Sequence, residues 1–282
     1  MITGKILPGE PLAPDVMDDI LTRFHRDGYV LVPGVLTPDE VTALRETTDR
    51  LFADPALAGT KYIERDFILR NTLELDPIFV DMLIREPIVG LAEAILGKDC
   101  KFCGQNVIRN PKGVAITRWH VDDTVEFPLP DDVPRYDPRV RMPVQWFTIH
   151  MALSDIDSVE NGPTQYVPGS HYSGRPPNSQ EHPTFEGQGP VSMLCKTGDI
   201  YLHNNQCWHR GAPVTSERVR YLMDTQYTSR WAFTRFGEYN RVPIPESVLA
   251  RKNERVYRVM GLESTDPHNI RTNRENISTG EE

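Results

Sequence analysis

Apolar residues in the first hundred positions recur at helical spacing. Val16, Ile20, Leu21 and Phe24 fall on one face, with Asp15 placed to cap the helix and Asp27-Gly28 to stop it. Tyr29–Val32 reads as a short strand. Thr37-Pro38-Asp39-Glu40 is a capping box with proline at the first helical position, and the helix behind it carries Val41, Leu44, Leu51 and Phe52. A third helical region covers residues 78–96, with a break at Pro87. After residue 100 the period changes to short strands between Pro, Gly, Asn and Asp clusters. They are expected over 101–109, 115–121, 143–153, 164–167, 191–195, 199–203 and 218–228. Helices first and strands later give an α+β, mainly β chain, its strands suited to a sandwich or barrel. The expectation is one domain over 1–282. It has a mainly helical part over 1–100, a strand-built core over 101–230, and a C-terminal helix and polar tail over 231–282. Two proline-rich stretches, 123–142 and 172–190, read as long loops, and loops of that length usually carry function or disorder.

Charge narrows the function. Lys+Arg 31 against Asp+Glu 40 leaves a net charge of -9, the opposite of a nucleic-acid footprint. No apolar run is long enough for a membrane-spanning helix. The opening MITGKILPGEPLAP lacks the apolar core of a secretory signal, so the expected location is cytoplasmic. Cys100, Cys103, Cys195 and Cys207 then read as free thiols in a reducing compartment rather than as a zinc ribbon or two disulfides.

The chemistry concentrates in histidine and carboxylate. In Trp119-His120-Val121-Asp122, residues i and i+2 of an extended chain point to one face, so His120 and Asp122 project together. His209, in Cys207-Trp208-His209-Arg210-Gly211, lies among turn residues just after the strand at 199–203 and can supply a third ligand. Two imidazoles and one carboxylate on one face of an octahedron leave three positions open, as in non-heme Fe(II) oxygenases. An His-x-Asp triplet alone is weak, because it is common by chance. Arg220, 11 residues after His209, strengthens it: an arginine inside a barrel needs an anion, and a carboxylate matches its fork. The competing reading puts Arg220 on the solvent face, with Arg218 as the rival anion ligand.

Four segments together resemble the phytanoyl-CoA dioxygenase family of Fe(II)- and 2-oxoglutarate-dependent oxygenases. They are Phe24-His25-Arg26-Asp27-Gly28-Tyr29-Val30-Leu31-Val32-Pro33-Gly34-Val35-Leu36 with the following Pro38-Asp39-Glu40-Val41; Trp119-His120-Val121-Asp122-Asp123; Glu160-Asn161-Gly162-Pro163-Thr164 through Val167-Pro168-Gly169-Ser170-His171; and Trp208-His209-Arg210 with Arg220. They span residues 24–220. The resemblance implies a double-stranded β-helix, a jelly-roll or cupin-like core, with N-terminal and flanking helices. It implies iron held by His120, Asp122 and His209, with Arg220 on the distal carboxylate of 2-oxoglutarate. Thr164 matches a threonine that touches that carboxylate in some relatives. Gly211 stands where many relatives carry a small hydroxyl, which Thr164 would replace. Thr117 stands where some relatives carry a glutamine. Gln105 and Asn106 precede it on a strand, and parity does not choose between them.

The activity so implied is dioxygen-dependent hydroxylation of an unactivated C–H bond, with release of succinate and CO2. Desaturation, epoxidation and ring rearrangement are alternatives on the same cofactors. Halogenating relatives replace the carboxylate ligand with a small residue, so Asp122 disfavours halogenation. The expected partner is a small molecule, with no nucleic acid or membrane, and a homodimer is left open. Substrate candidates are Trp119, Asp123, Thr124, Trp146, Arg230, Trp231 and Phe233. The 123–142 loop mixes Arg135, Arg139 and Arg141 with Asp131, Asp132 and Asp137, a balance that disfavours a CoA thioester; the loop itself reads as a lid. His203 is the reserve ligand, and His150 is expected to pack rather than line the pocket. Two rival classes remain: a non-oxidative zinc enzyme on a cupin-like barrel, with no use for Arg220, and a binding module that has lost turnover.

Overall fold

The computed structural model describes residues 2, 4–122, 136, 137, 139, 141–233 and 244–262. Among these, ten strands form two antiparallel sheets. The larger sheet has the order β1-β8-β5-β10-β4-β3-β2. Its strands are β1 (Tyr29–Val32), β2 (Ile63–Glu64), β3 (Ile68–Arg70), β4 (Lys101–Asn110), β5 (Trp146–Ala152), β8 (Ile200–Asn204) and β10 (Arg220–Thr228). The smaller sheet, in the order β7-β6-β9, is built from β6 (Thr164–Tyr166), β7 (Val191–Ser192) and β9 (His209–Gly211). From β5 onward the chain passes repeatedly between the sheets, winding a jelly-roll with a cavity between them.

Helices cover the outer face of the larger sheet. They are α1 (Pro14–Asp27), α2 (Pro38–Ala53), α3 (Pro77–Asp81), α4 (Ile88–Leu96), α5 (Glu246–Leu249) and α6 (Glu254–Met260). Strand alternation sorts the side chains. On β10, Tyr221, Met223 and Tyr227 join the core under the helices, as do Phe147, Ile149 and Met151 of β5. Their neighbours Leu222, Asp224, Thr148 and His150 line the cavity. Every residue of β5 is therefore buried, although only one face packs on helices.

The α1 stripe is buried as its spacing predicts, and Gly28 ends the helix at φ 83 with its N–H on the Phe24 carbonyl. A side chain there would also collide with the His171 ring, its Cβ 2.5 Å from Nδ1. Ala13, not Asp15, is the N-cap: Pro14 takes the first helical position, where its fixed φ fits, and Asp15 lies in the first turn. The Thr37–Glu40 capping box is reciprocal, and helix breaks at Pro87 as expected. The strand expected over 115–121 is reduced to one bridge, His120 opposite His209, although this stretch still runs beside β9 through Gly211 N–H to Ile116 O. All four cysteines are buried free thiols. Most of the expected lid, 123–135 with 138 and 140, lies outside the described residues, as does the tail beyond 262. Among the described residues no helix is long and apolar enough to cross a membrane.

Candidate metal centre

The single bridge between the 115–122 stretch and β9 sets two histidines side by side. His120 and His209 exchange backbone hydrogen bonds at 3.0 Å, and their ring centroids are 4.2 Å apart. Each ring is oriented by its own backbone: His120 Nδ1 lies 2.8 Å from Arg118 O, and His209 Nδ1 lies 2.8 Å from Cys207 O. Nδ1 therefore carries the proton and Nε2 presents its lone pair, the tautomer a metal-binding imidazole needs. Both Nε2 atoms face Asp122 Oδ1, at 3.5 Å for His120 and 3.4 Å for His209. Ligand bonds near 2.1 Å at right angles place donor atoms about 3 Å apart, so the three atoms fit one ion. These donors form the metal-competent cluster found among the described residues. Burial alone would raise the Asp122 carboxyl, but when the facing Nε2 atoms carry protons in place of a metal, His209, then His120 and His203, hold it well below the usual carboxylate range.

A turn residue steadies the carboxylate. Asn205 follows β8, where the chain leaves the larger sheet for β9. Its Nδ2 donates to Asp122 Oδ2 at 2.8 Å and its backbone carbonyl accepts the Asp122 N–H at 3.2 Å. His203 does not replace His209. Its Nε2 lies 3.6 Å from Asp122 Oδ2, behind the carboxylate, and its Nδ1 meets Tyr166 Oη at 3.1 Å. Burial lowers its pKa to about 4, so the ring is neutral. His150 lines the cavity instead of merely packing, stacked 5.1 Å from His203.

A loop from the far side braces the ligand strand. The Gln180 side chain accepts the Trp119 N–H and donates to the Trp119 carbonyl, both at 3.0 Å, as a paired strand would. This gives the 172–190 stretch a structural task one residue from His120.

The cavity behind the ligands has a volume of about 170 Å³. Arg220, 6% exposed, lies on its wall. Its Nε donates to Asn110 Oδ1 at 3.0 Å and its Nη1 to the Gly162 carbonyl. Among the described residues no carboxylate pairs with it, so a buried cation stands ready for an anion. Asn110 Nδ2 beside it is buried without a partner. Arg218 is exposed and engages Asp157, so it is no rival. Thr164 lines the cavity directly opposite Gly211 in the β6–β9 register, with its hydroxyl 2.8 Å from Tyr201 Oη.

The remaining expectations divide. Asn106 faces the cavity, whereas Gln105 points the other way, bonded to Thr72, Thr225 and the Phe79 carbonyl. Trp119 is 1% exposed and packs with Val167, Phe185 and Trp208 rather than lining the cavity, while Arg210 stacks 4.9 Å from its ring. Trp146 borders a separate cleft with Gln145 and Tyr172. Arg230 is exposed and Trp231 is 92% exposed; neither they nor Phe233 border the cavity. Asp123 and Thr124 lie outside the described residues. Sequence reasoning missed Asn205, Asn110 and Asp224. Asp224 and Asn110 carried a signal, since they share strand parity with Arg220 and Asn106.

The profile of the phytanoyl-CoA dioxygenase family matches residues 24–221, and the chain belongs to that family of Fe(II)- and 2-oxoglutarate-dependent oxygenases. Among curated proteins it is 28% identical over 173 residues to the ectoine dioxygenase of Stutzerimonas stutzeri, across 58% of this chain and 52% of that protein. The chain thus spans about half the length of the curated relatives it matches. Its fold is shared with HygX from Streptomyces hygroscopicus, solved with nickel and 2-oxoglutarate bound: TM-score 0.61, 19% identity, 79% of this chain and 89% of that one. It is shared also with the epimerase SnoN, solved with Fe3+, alpha-ketoglutarate and nogalamycin RO: TM-score 0.59, 21% identity, 77% and 85%.

Proposed function

We propose that this protein is an Fe(II)/2-oxoglutarate-dependent dioxygenase that hydroxylates an unactivated C–H bond of a small molecule, releasing succinate and CO2. One arrangement carries the reading. Two Nε2 atoms and one carboxylate oxygen converge at one end of a cavity, and a buried arginine with no anionic partner among the described residues waits on its wall. A zinc hydrolase on the same barrel has no use for that arginine.

His120, Asp122 and His209 would hold the iron and leave three positions open. Bound iron, with 2-oxoglutarate and dioxygen, supplies the oxidising chemistry. The chain's own residues do the positioning. Arg220 and the Asn110 amide hold and orient the distal carboxylate by charge-assisted hydrogen bonds. Thr164, across from Gly211, adds a hydroxyl at that end. Ile108, Ile116 and Leu222 add apolar wall that limits water in the cavity. SnoN, an epimerase, shows that this fold hosts outcomes other than hydroxylation, which is the second reading.

The test needs no substrate. Fe(II) and 2-oxoglutarate are added without oxygen, and the visible metal-to-ligand charge-transfer band is recorded. The band is expected in the wild type and lost in His209→Ala. In Arg220→Ala it should need at least about tenfold more 2-oxoglutarate, as for any buried charge pair cut on one side. Tight zinc binding with no band in the wild type would overturn the oxygenase reading.

A further inference from the structure

The cavity-facing residues of β10 change character along the strand. Arg220 is followed at the same parity by Leu222, Asp224 and Gln226. Asp224 lies four residues beyond the arginine, ~13 Å along the strand at the usual rise. It is 4% exposed yet borders the cavity. Asn106 Nδ2 and Gln226 Nε2 both donate to its Oδ1, at 3.0 and 3.2 Å. Among the described residues no cation is paired with it. Arg70, whose charge reaches it, is engaged with Glu64 at 2.6 Å. Asn106 spends its amide on Asp224, which leaves its own Oδ1 buried without a donor.

One end of the cavity thus offers donors, Arg220 and Asn110, and the other offers acceptors. A buried carboxylate and an unmatched amide oxygen are both costly unless something completes them. The co-substrate cannot, because its two carboxylates would be repelled by Asp224. The group that completes them belongs to the other occupant. A neutral hydroxyl would satisfy one lone pair but leave the charge buried, whereas a cation answers both.

We propose that Asp224 and Asn106 form the subsite for a cationic nitrogen, an ammonium or amidinium group, on the substrate. The proposal rests on the oxygenase reading for the identity of the cavity's other occupant. Burial, helped by the nearby Asp122 charge, pushes the Asp224 carboxyl up to about 7 against Arg70, Asn106 and Gln226, so a cation brought there would take the place of a proton the carboxyl otherwise holds part of the time. Placed there, a cationic group is anchored by charge near the metal ligands: Thr148, opposite Gln226 in the β5–β10 register, shares the Asn205 amide with Asp122.

Calorimetric titration tests this with simple probes, on protein loaded anaerobically with Fe(II) and 2-oxoglutarate. The probes are benzylamine and benzamidine, their neutral counterparts benzyl alcohol and benzamide, and benzoate. The wild type is expected to prefer the cations over the neutral pair by about tenfold or more, and Asp224→Asn to erase that preference. Asn106→Ala, run beside it, keeps the carboxylate, removes the second acceptor and should reduce the preference in the same direction. Equal binding of the neutral probes, tighter binding of benzoate, no binding of any probe, or a preference that survives Asp224→Asn each overturns the proposal. Survival would mean that the amine binds elsewhere, iron included. The charge-transfer band scores the cofactor reading separately. If the wild type shows none, that reading falls, and the cation preference is scored on the metal-free protein.

Discussion

The two faces of the larger sheet obey different rules. Where the sheet meets the helices, polar side chains of its strands find partners: Tyr227 Oη donates to the Leu83 carbonyl, and Thr225 Oγ1 accepts from Gln105. On the cavity face, one residue away along the same strands, several do not. Of seven buried side-chain atoms without a partner among the described residues, four belong to cavity-lining Asn106, Asn110, His150 and His203. Native interiors rarely leave such atoms unpaired, so their gathering in one place marks where a ligand belongs. Stability is made on the helix face and given up on the other, as functional sites generally require.

Breaking the helix face should have the largest effect on folding. Phe147 is fully buried, edge-on to Phe24 at 5.7 Å and stacked near Tyr227 at 6.2 Å. Phe147→Ala should cost about 3–5 kcal/mol, read as a lower urea midpoint at unchanged slope. Equal stability of the variant would mean that the helix face is not where the fold is held.

Changing the cavity face should do the reverse. Asp224 has a folded pKa of about 7 against an unfolded value of about 3.9. The folded state therefore holds the proton longer than the unfolded state, and wild-type stability falls as pH rises between those values. Asp224→Asn keeps an acceptor for Asn106 and Gln226 but has nothing to ionise. It should be more stable than wild type at pH 8, by up to about 4 kcal/mol, and nearly equal at pH 4. Buried His25 and His171, both lowered to about 4 by burial first, push wild-type stability up over pH 4–6.5, but they are common to both proteins and cancel in the difference. Melting curves at the two pH values decide it. A variant less stable at pH 8 would show that the carboxylate is already satisfied within the fold.

The same contrast explains what could be read from the chain. Helix faces and caps are local, so the α1 stripe, the Thr37–Glu40 box and the break at Pro87 were legible, as was strand alternation. The meeting of His120, Asp122, His209 and Arg220 at one cavity was legible because parity and the family's motif spacing both bear on them. What failed was set by distant partners. Trp119 looked like a pocket wall, but the Phe185–Trp208 cluster takes its ring, and Gln180, in a loop 61 residues away, fixes its backbone. Trp146 shares parity with His150 but lies at the start of β5, beyond the cavity's reach. Gln105 and Asn106 could be separated only once β4 had neighbours on both faces. Asn205 read as one more turn residue, because its hydrogen bond to Asp122 spans 83 positions.

That last residue gives the smallest and sharpest break between the two faces. Asn205 is fully buried, and its Nδ2 is shared between Asp122 Oδ2 at 2.8 Å and Thr148 Oγ1 at 3.1 Å. It touches no bound group itself; it holds the carboxylate so that Oδ1 faces both imidazoles. Partners of this kind typically contribute 10–100-fold to metal affinity, which is roughly 1–3 kcal/mol. Asn205→Ala should weaken Fe(II) binding by about that factor in an anaerobic competition titration with a chelator, while Asn205→Asp would set two carboxylates against each other and weaken it further. The 2-oxoglutarate requirement, measured at saturating Fe(II), should stay within about twofold of wild type, because Arg220 and Asn110 are untouched. If iron affinity is unchanged in Asn205→Ala, the ligand histidines and β9 alone define the centre. The turn between the sheets would then be no more than a connection.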